Sequence, residues 1–193
     1  MMKRLVCVVL GLLIFNPSAT ADDKRAAEDL LRNKIDFAIE VLQRKETELQ
    51  ARNKKILEIV SPIFDFPLMA KLALGREYWP SLSEEKKKKY LTLFTERLKA
   101  AYLDKLTLYT DERVVYKMPV QDGRKIRIPT ELISKGNTVS MLYKMYKSRK
   151  GWKIYDIEIQ GVSIISSYRS QFKEILSKGT IDDLLLKLET NET

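Results

Sequence analysis

The sequence predicts an α+β fold: helices at the N-terminal end, a four-stranded antiparallel twisted sheet in the middle, and helices again at the C-terminal end. Two observations carry this. Apolar residues recur at helical spacing from Lys24 to Thr110 and again from Ser163 onward, whereas between them the period drops toward two, with β-branched and aromatic residues set off by turn signals. The turns are short, and a parallel pair of strands would need a crossover of a dozen or more residues, so the strands form a meander. Helices kept apart from the strands along the chain pack on the sheet as a separate layer.

The first helix is expected from Lys24 to about Glu48, with Ala27, Leu31, Ile35, Ala38 and Leu42 on one face. A second runs from Arg52 to Ile63 and ends near Pro62. Phe66 to Gly75 gives a third, with Pro67 tolerated in the first turn and Gly75 as its stop. The longest starts near Ser81 or Ser83, where Ser81 and Glu84 fit a capping box, and carries Tyr90, Phe94, Leu98, Ala101, Tyr102, Leu106 and Tyr109. Its first turns hold the basic run Lys86 to Lys89, which reads as a solvated face or as a membrane or partner contact.

Four strands follow: Arg113 to Val120, Lys125 to Ser134, Thr138 to Lys147 and Trp152 to Gln160. Gln121-Asp122-Gly123, Lys135-Gly136-Asn137 and Arg149-Lys150-Gly151 join them. Pro119 and Pro129 favour edges or bulges, because proline offers no N–H to a ladder. Ser163 is placed to cap a helix carrying Ile165, Tyr168, Phe172 and Leu176. Thr180 is placed to cap a last one with Ile181, Leu184, Leu185 and Leu188.

The N-terminus reads differently. Lys3 and Arg4 precede an uncharged apolar run, Leu5 to Phe15, followed by Pro17 and Ala19-Thr20-Ala21. This is the pattern of a secretory signal peptide, cleaved after Ala21 and leaving 22–193 as one domain. The run is shorter than the roughly 20 residues that span a bilayer. Cleavage would remove the single cysteine, Cys7, and lower the formal charge from +9 to +7, with the excess lying in residues 61–159.

Composition excludes several kinds of chemistry. With no histidine and one cysteine, the chain has no means for Ser-His-Asp or Cys-His catalysis, imidazole-based zinc sites or a disulfide framework. No glycine-rich phosphate loop or nucleophile elbow is present. Among carboxylates, Asp156 beside Tyr155 reads as a desolvated base or as a strand-end carboxylate bonded to a nearby amide. Gly161-Val162-Ser163 ahead of a helix reads as a phosphate site or as a plain cap. No stacking motif of the RNA-recognition kind appears, and an exported protein would rarely meet nucleic acid, so no nucleic-acid partner is expected.

Val139, Met141, Tyr143 and Met145 form one wholly apolar strand face, beside Ile126, Ile128, Thr130 and Leu132 next door. That face is either core beneath the helices or, in part, the lining of a cavity for a large apolar ligand. Methionine suits such a lining because its unbranched side chain adapts to a mobile chain.

Several segments together resemble the MlaC family of phospholipid carriers, also described as toluene-tolerance or ABC-transporter auxiliary proteins. They are Leu72-Ala73-Leu74-Gly75-Arg76-Glu77-Tyr78-Trp79, the long helix with Tyr90, Phe94, Leu98 and Ala101-Tyr102, and Trp152-Lys153-Ile154-Tyr155-Asp156. The last continues into Gly161-Val162-Ser163-Ile164-Ile165, Tyr168-Arg169, Phe172, Gly179, Leu184 and Leu188. The resemblance implies a periplasmic, non-enzymatic protein with no cofactor, whose cargo is phospholipid held in an apolar cavity between sheet and helices. It also implies exchange partners: an inner-membrane MCE-domain protein of an ABC transporter complex and an outer-membrane lipoprotein complex of the MlaA type. On this reading the expected lining is Leu72, Tyr102, Leu106, Ile128, Met141, Tyr143, Ile157, Val162 and Ile165. A hopanoid or other polycyclic lipid as cargo, or a periplasmic interaction protein whose cavity is only core, are the alternatives.

Overall fold

A computed structural model describes residues 18–44, 48–106 and 113–190, with side chains for all of these except 18–21 and 102–106. The architecture is α+β, as expected from the sequence. Helices α1 (Ser18–Gln43), α2 (Leu49–Val60), α3 (Phe66–Leu74) and α4 (Glu84–Leu106) precede the sheet. Strands β1 (Arg113–Tyr116), β2 (Val120–Asp122), β3 (Lys125–Ser134), β4 (Asn137–Ser148), β5 (Gly151–Ile159) and β6 (Val162–Ser163) follow, and α5 (Ile164–Lys178) and α6 (Ile181–Thr190) close the chain.

The helices begin and end where local chemistry satisfies their free backbone groups. Asp65 caps α3 by accepting the Leu68 N–H at 3.0 Å, Pro67 sits in the first turn, and Gly75 at φ +90° ends the helix, its N–H donating to Lys71 O. The capping box expected at Ser81 and Glu84 is absent. Ser83 caps α4 instead, accepting the Lys86 N–H at 3.2 Å, while the Ser81 hydroxyl donates back to Tyr78 O in a short 3-10 turn. That turn, Trp79–Ser81, takes Ser81 out of the helix. α1 starts six residues earlier than the expected Lys24 and ends at Gln43. Pro62 ends the second helix at Val60 and leaves Ser61–Ile63 as a 3-10 turn.

The basic run on α4 is mostly paired inside the molecule. Lys86 meets Asp182 at 2.7 Å and Lys89 meets Glu189 at 2.8 Å, both on α6, and Lys87 meets Glu84 at 2.8 Å. These exposed pairs stabilise little individually, but they set α6 against α4.

The sheet has six strands rather than four, in the order β1-β3-β4-β5-β6, with β2 also on β3 and all pairs antiparallel. The single strand expected over 113–120 is two. Tyr116 pairs with Thr130 and Val120 with Arg127, so three residues, Lys117, Met118 and Pro119, face two on β3, and Pro119 has no N–H to continue the ladder. β6 comes from a two-residue turn in which Gln160 and Gly161 both have positive φ, +50° and +80°, the conformation that matches strand twist in tight hairpins.

One continuous core joins the sheet to α1 and α3–α6. It holds Tyr90, Phe94, Phe172, Met69 and Leu184 from the helices and Ile126, Ile128, Met145 and Ile154 from the strands, each essentially without solvent exposure. The Tyr90 hydroxyl, buried by this cluster, donates to Ala70 O at 3.0 Å and ties α4 to α3. A small separate cluster of Ala38, Val41, Leu42 and Ile56 joins the far end of α1 to α2.

Candidate functional site

Cross-strand register sorts the strand residues into rows, and partners in a row share a face of the sheet. On the face toward the helices the rows are Gln121–Ile126–Met145–Ile154, then Ile128–Tyr143–Ile157, then Tyr116–Thr130–Met141–Ile159, then Val114–Leu132–Val139. None of these residues is charged.

Strict alternation along β5 would have put Asp156 into this face, two residues after Ile154. A β-bulge prevents it. The register shifts between Lys144 and Met145 so that Tyr155 is the extra residue, and Ile154 and Ile157, three apart, both point to the helices. Asp156 is instead held at the start of α5: its carboxylate accepts the Ile165 N–H at 3.2 Å, the Ser163 hydroxyl at 2.8 Å and Lys144 Nζ at 3.0 Å. Burial works against the Lys144 charge, but hydrogen bonds to Glu158 and Asp156 outweigh it and raise its pKa. With its oxygens occupied in this way, Asp156 is a structural carboxylate. Ser163 caps α5 by accepting the Ser166 N–H at 3.0 Å, so the Gly161-Val162-Ser163 segment acts as a cap.

The first two rows are covered by helices. The last two open toward solvent: Val114, Leu132, Val139, Met141 and Ile159 are all half-buried. At the rim, Tyr116 reaches α1, donating its hydroxyl to Asp36 Oδ1 at 2.8 Å beneath the Arg32 guanidinium, 4.0 Å from the ring centre. Burial, then the Asp36 hydrogen bond, push the Tyr116 phenol far above its ordinary pKa, and burial does the same for Tyr143. Both are neutral at physiological pH. Among the described residues, the Tyr143 hydroxyl finds the Met141 sulfur as its hydrogen-bond partner, at 3.7 Å.

Of the expected lining residues, Ile128, Tyr143 and Ile157 form one row and Met141 stands in the next. Ile165, buried on the first turn of α5, belongs to the same core, and Leu72 on α3 packs against it half-buried. Val162 is not brought to this group: it lies on β6 at the far sheet edge, 61% exposed. The side chains of Tyr102 and Leu106 lie outside the described residues.

Sequence reasoning missed Ile159, Tyr116 and Val114 because their facing depends on the bulge and on the β1–β3 register. It also missed the state of Thr130. This side chain is 2% exposed and its hydroxyl has no hydrogen-bond partner among the described residues, although its row neighbours Tyr116, Met141 and Ile159 are bulky and largely apolar.

Two clefts flank the site, one of about 260 Å³ along Pro129, Leu142 and Glu158 on the opposite face and one of about 250 Å³ at Leu132 and Val139. The second extends from Leu132 and Val139 to the β3–β4 turn, where Ser134, Lys135 and Asn137 complete its lining. Among the described residues no group of three or more acidic or cysteine side chains could hold a metal, and no helix is long and apolar enough to cross a membrane. The arrangement suits sequestration of an apolar ligand better than bond chemistry.

Comparison with known proteins gives three findings. The family model described as MlaC protein matches residues 32–190. The intermembrane phospholipid transport system binding protein MlaC of Haemophilus influenzae is 29% identical over 119 residues, which is 58% of this chain and 55% of that protein. The match thus spans about half the length of this curated relative. A phospholipid-binding protein from Ralstonia solanacearum, solved in complex with a phospholipid, has the same fold, with a TM-score of 0.77 at 24% identity over 85% of this chain and 95% of that one.

Proposed function

The chain belongs to the MlaC family, and on that premise we propose that it is a periplasmic phospholipid carrier that shields acyl chains between the helix-facing side of its sheet and its helices. The observation that carries this reading is the uncharged face itself. It runs from the closed row Ile126–Met145–Ile154 to the half-buried Leu132 and Val139, so a chain entering at the open end meets no charged side chain.

The physical need is large. Hiding an acyl chain from water is worth about 0.8 kcal/mol per methylene, so two chains of roughly 14 methylenes amount to about 20 kcal/mol gross. A lipid does not cross an aqueous compartment unaided at that cost, and a pocket matching the gain would not release it unaided either. Docking on a donor or acceptor complex therefore opens the helices against the sheet. The partners in this scheme are an inner-membrane MCE-domain protein of an ABC transporter complex and an outer-membrane lipoprotein complex of the MlaA type. The protein does no bond chemistry and needs no cofactor.

Export completes the reading: residues 1–21 act as a signal peptide cleaved after Ala21, within the first turn of α1. The new end begins Asp22-Asp23, and carboxylates at a helix N-terminus are favourably placed on its dipole.

Organic extraction of the natively expressed protein, followed by lipid mass spectrometry, tests this. Stoichiometric diacyl phospholipid is the expected result; an empty extract, or a polycyclic lipid in its place, would overturn it.

A further inference from the structure

A buried polar atom without a partner calls for an explanation, because folding removes its water and gives nothing in return. Thr130 is such a case. Its side chain sits in the middle of the Tyr116–Thr130–Met141–Ile159 row, 2% exposed, with no acceptor for its hydroxyl proton among the described residues. Packing alone would be served better by valine, which has the same shape and no polar atom. The two polar groups nearest in register, the hydroxyls of Tyr116 and Tyr143, donate to Asp36 and to the Met141 sulfur, and neither forms a hydrogen bond with Thr130.

The missing group is an acceptor that arrives together with hydrocarbon. Ester-linked acyl chains carry one: the carbonyl oxygen at the top of each chain enters whatever site buries the first methylenes. We propose that the Thr130 hydroxyl donates a hydrogen bond to an ester carbonyl of the bound lipid, fixing the depth at which the chains sit and selecting ester-linked diacyl lipids over cargo without an ester. The inference rests on the carrier reading above and adds a specificity-determining residue to it.

Thr130 lies where such a group is needed. One side of its row is the closed row of Ile128, Tyr143 and Ile157; the other is the half-buried row of Val114, Leu132 and Val139. Chains lying toward the closed side leave the glycerol and headgroup toward the open side, with the carbonyl level with Thr130.

The test is a competition. Purified protein is incubated with vesicles holding equal amounts of a dimyristoyl phosphatidylglycerol and its di-O-tetradecyl ether analogue, and the captured lipids are quantified by mass spectrometry. Wild type is expected to enrich the ester over the ether by about tenfold, the effect of one well-made hydrogen bond. Thr130→Val should bring the ratio to one or below, because a carbonyl buried without a donor is worse than an ether oxygen. Thr130→Ser should keep the enrichment. An unenriched wild type, or a Thr130→Val protein that still selects the ester, overturns the assignment while leaving a carrier in place. Capture of neither lipid by wild type overturns the carrier reading and the assignment with it.

Discussion

Asp156 Oδ1 accepts the backbone N–H of Ile165 at 3.2 Å, so the residue displaced from the helix-facing side by the β5 bulge is the one that fixes the start of α5. The same carboxylate takes the Ser163 hydroxyl and Lys144 Nζ while 6% exposed. Removing one member of a buried ionic network leaves others uncompensated, at a cost of about 3 kcal/mol. Asp156→Ala should lower the unfolding free energy by that amount in urea, and Asp156→Asn by less, since its amide oxygen still serves Ile165. A loss below about 1 kcal/mol for the alanine variant would contradict this role.

The β3–β4 turn holds a removable strain. Lys135 has φ +48° beside Gly136 at +78°, and an L-residue with a long side chain is disfavoured in the left-handed region. Asparagine tolerates it better. Lys135→Asn should raise stability by about 0.5 to 1 kcal/mol, read as a higher melting temperature with unchanged lipid content.

Met141 separates the binding role from folding, because it is half-buried at the open part of the face. Met141→Glu should leave the circular dichroism spectrum intact and remove copurifying lipid, since an acyl chain cannot desolvate a carboxylate cheaply. Tyr143 is less informative alone, being 9% exposed and part of the core. A folded Met141→Glu protein with normal lipid would take Met141 out of the site.

Alkaline pH should expose the tie between β4 and α3. The Tyr146 hydroxyl donates to Asp65, which also caps α3, and this hydrogen bond, with some burial, pushes the phenol from 10.0 up to about 12. A raised folded pKa means that the protonated phenol is favoured in the native state. Its contribution is complete below pH about 10 and is lost as pH rises toward 12. Stability measured across that window should therefore fall for wild type and fall less steeply for Tyr146→Phe; parallel curves would show that the tie contributes nothing.

Much of this was legible in the sequence, for reasons that particular residues make plain. The α3 boundaries follow from Pro67 and Gly75, whose backbone demands are strong and local, and the caps Ser163 and Thr180 are equally local. What depends on two strands at once was not legible. The break between β1 and β2 is a three-against-two mismatch with β3, and the facing of Ile159 is set by an extra residue at Tyr155 that alternation along one strand does not reveal. Ile128, Met141 and Tyr143 could be assigned to one face because β3 and β4 alternate regularly there. Thr130 was visible as a member of the apolar face, but its unpartnered hydroxyl exists only once the row closes around it.

Native mass spectrometry of the intact protein, purified from cells that make it from the full sequence, tests the carrier account most directly, because one spectrum reads both processing and cargo. The account predicts a chain beginning at Asp22 carrying one diacyl phospholipid that departs on denaturation. A chain that retains Met1 and carries no lipid would contradict it.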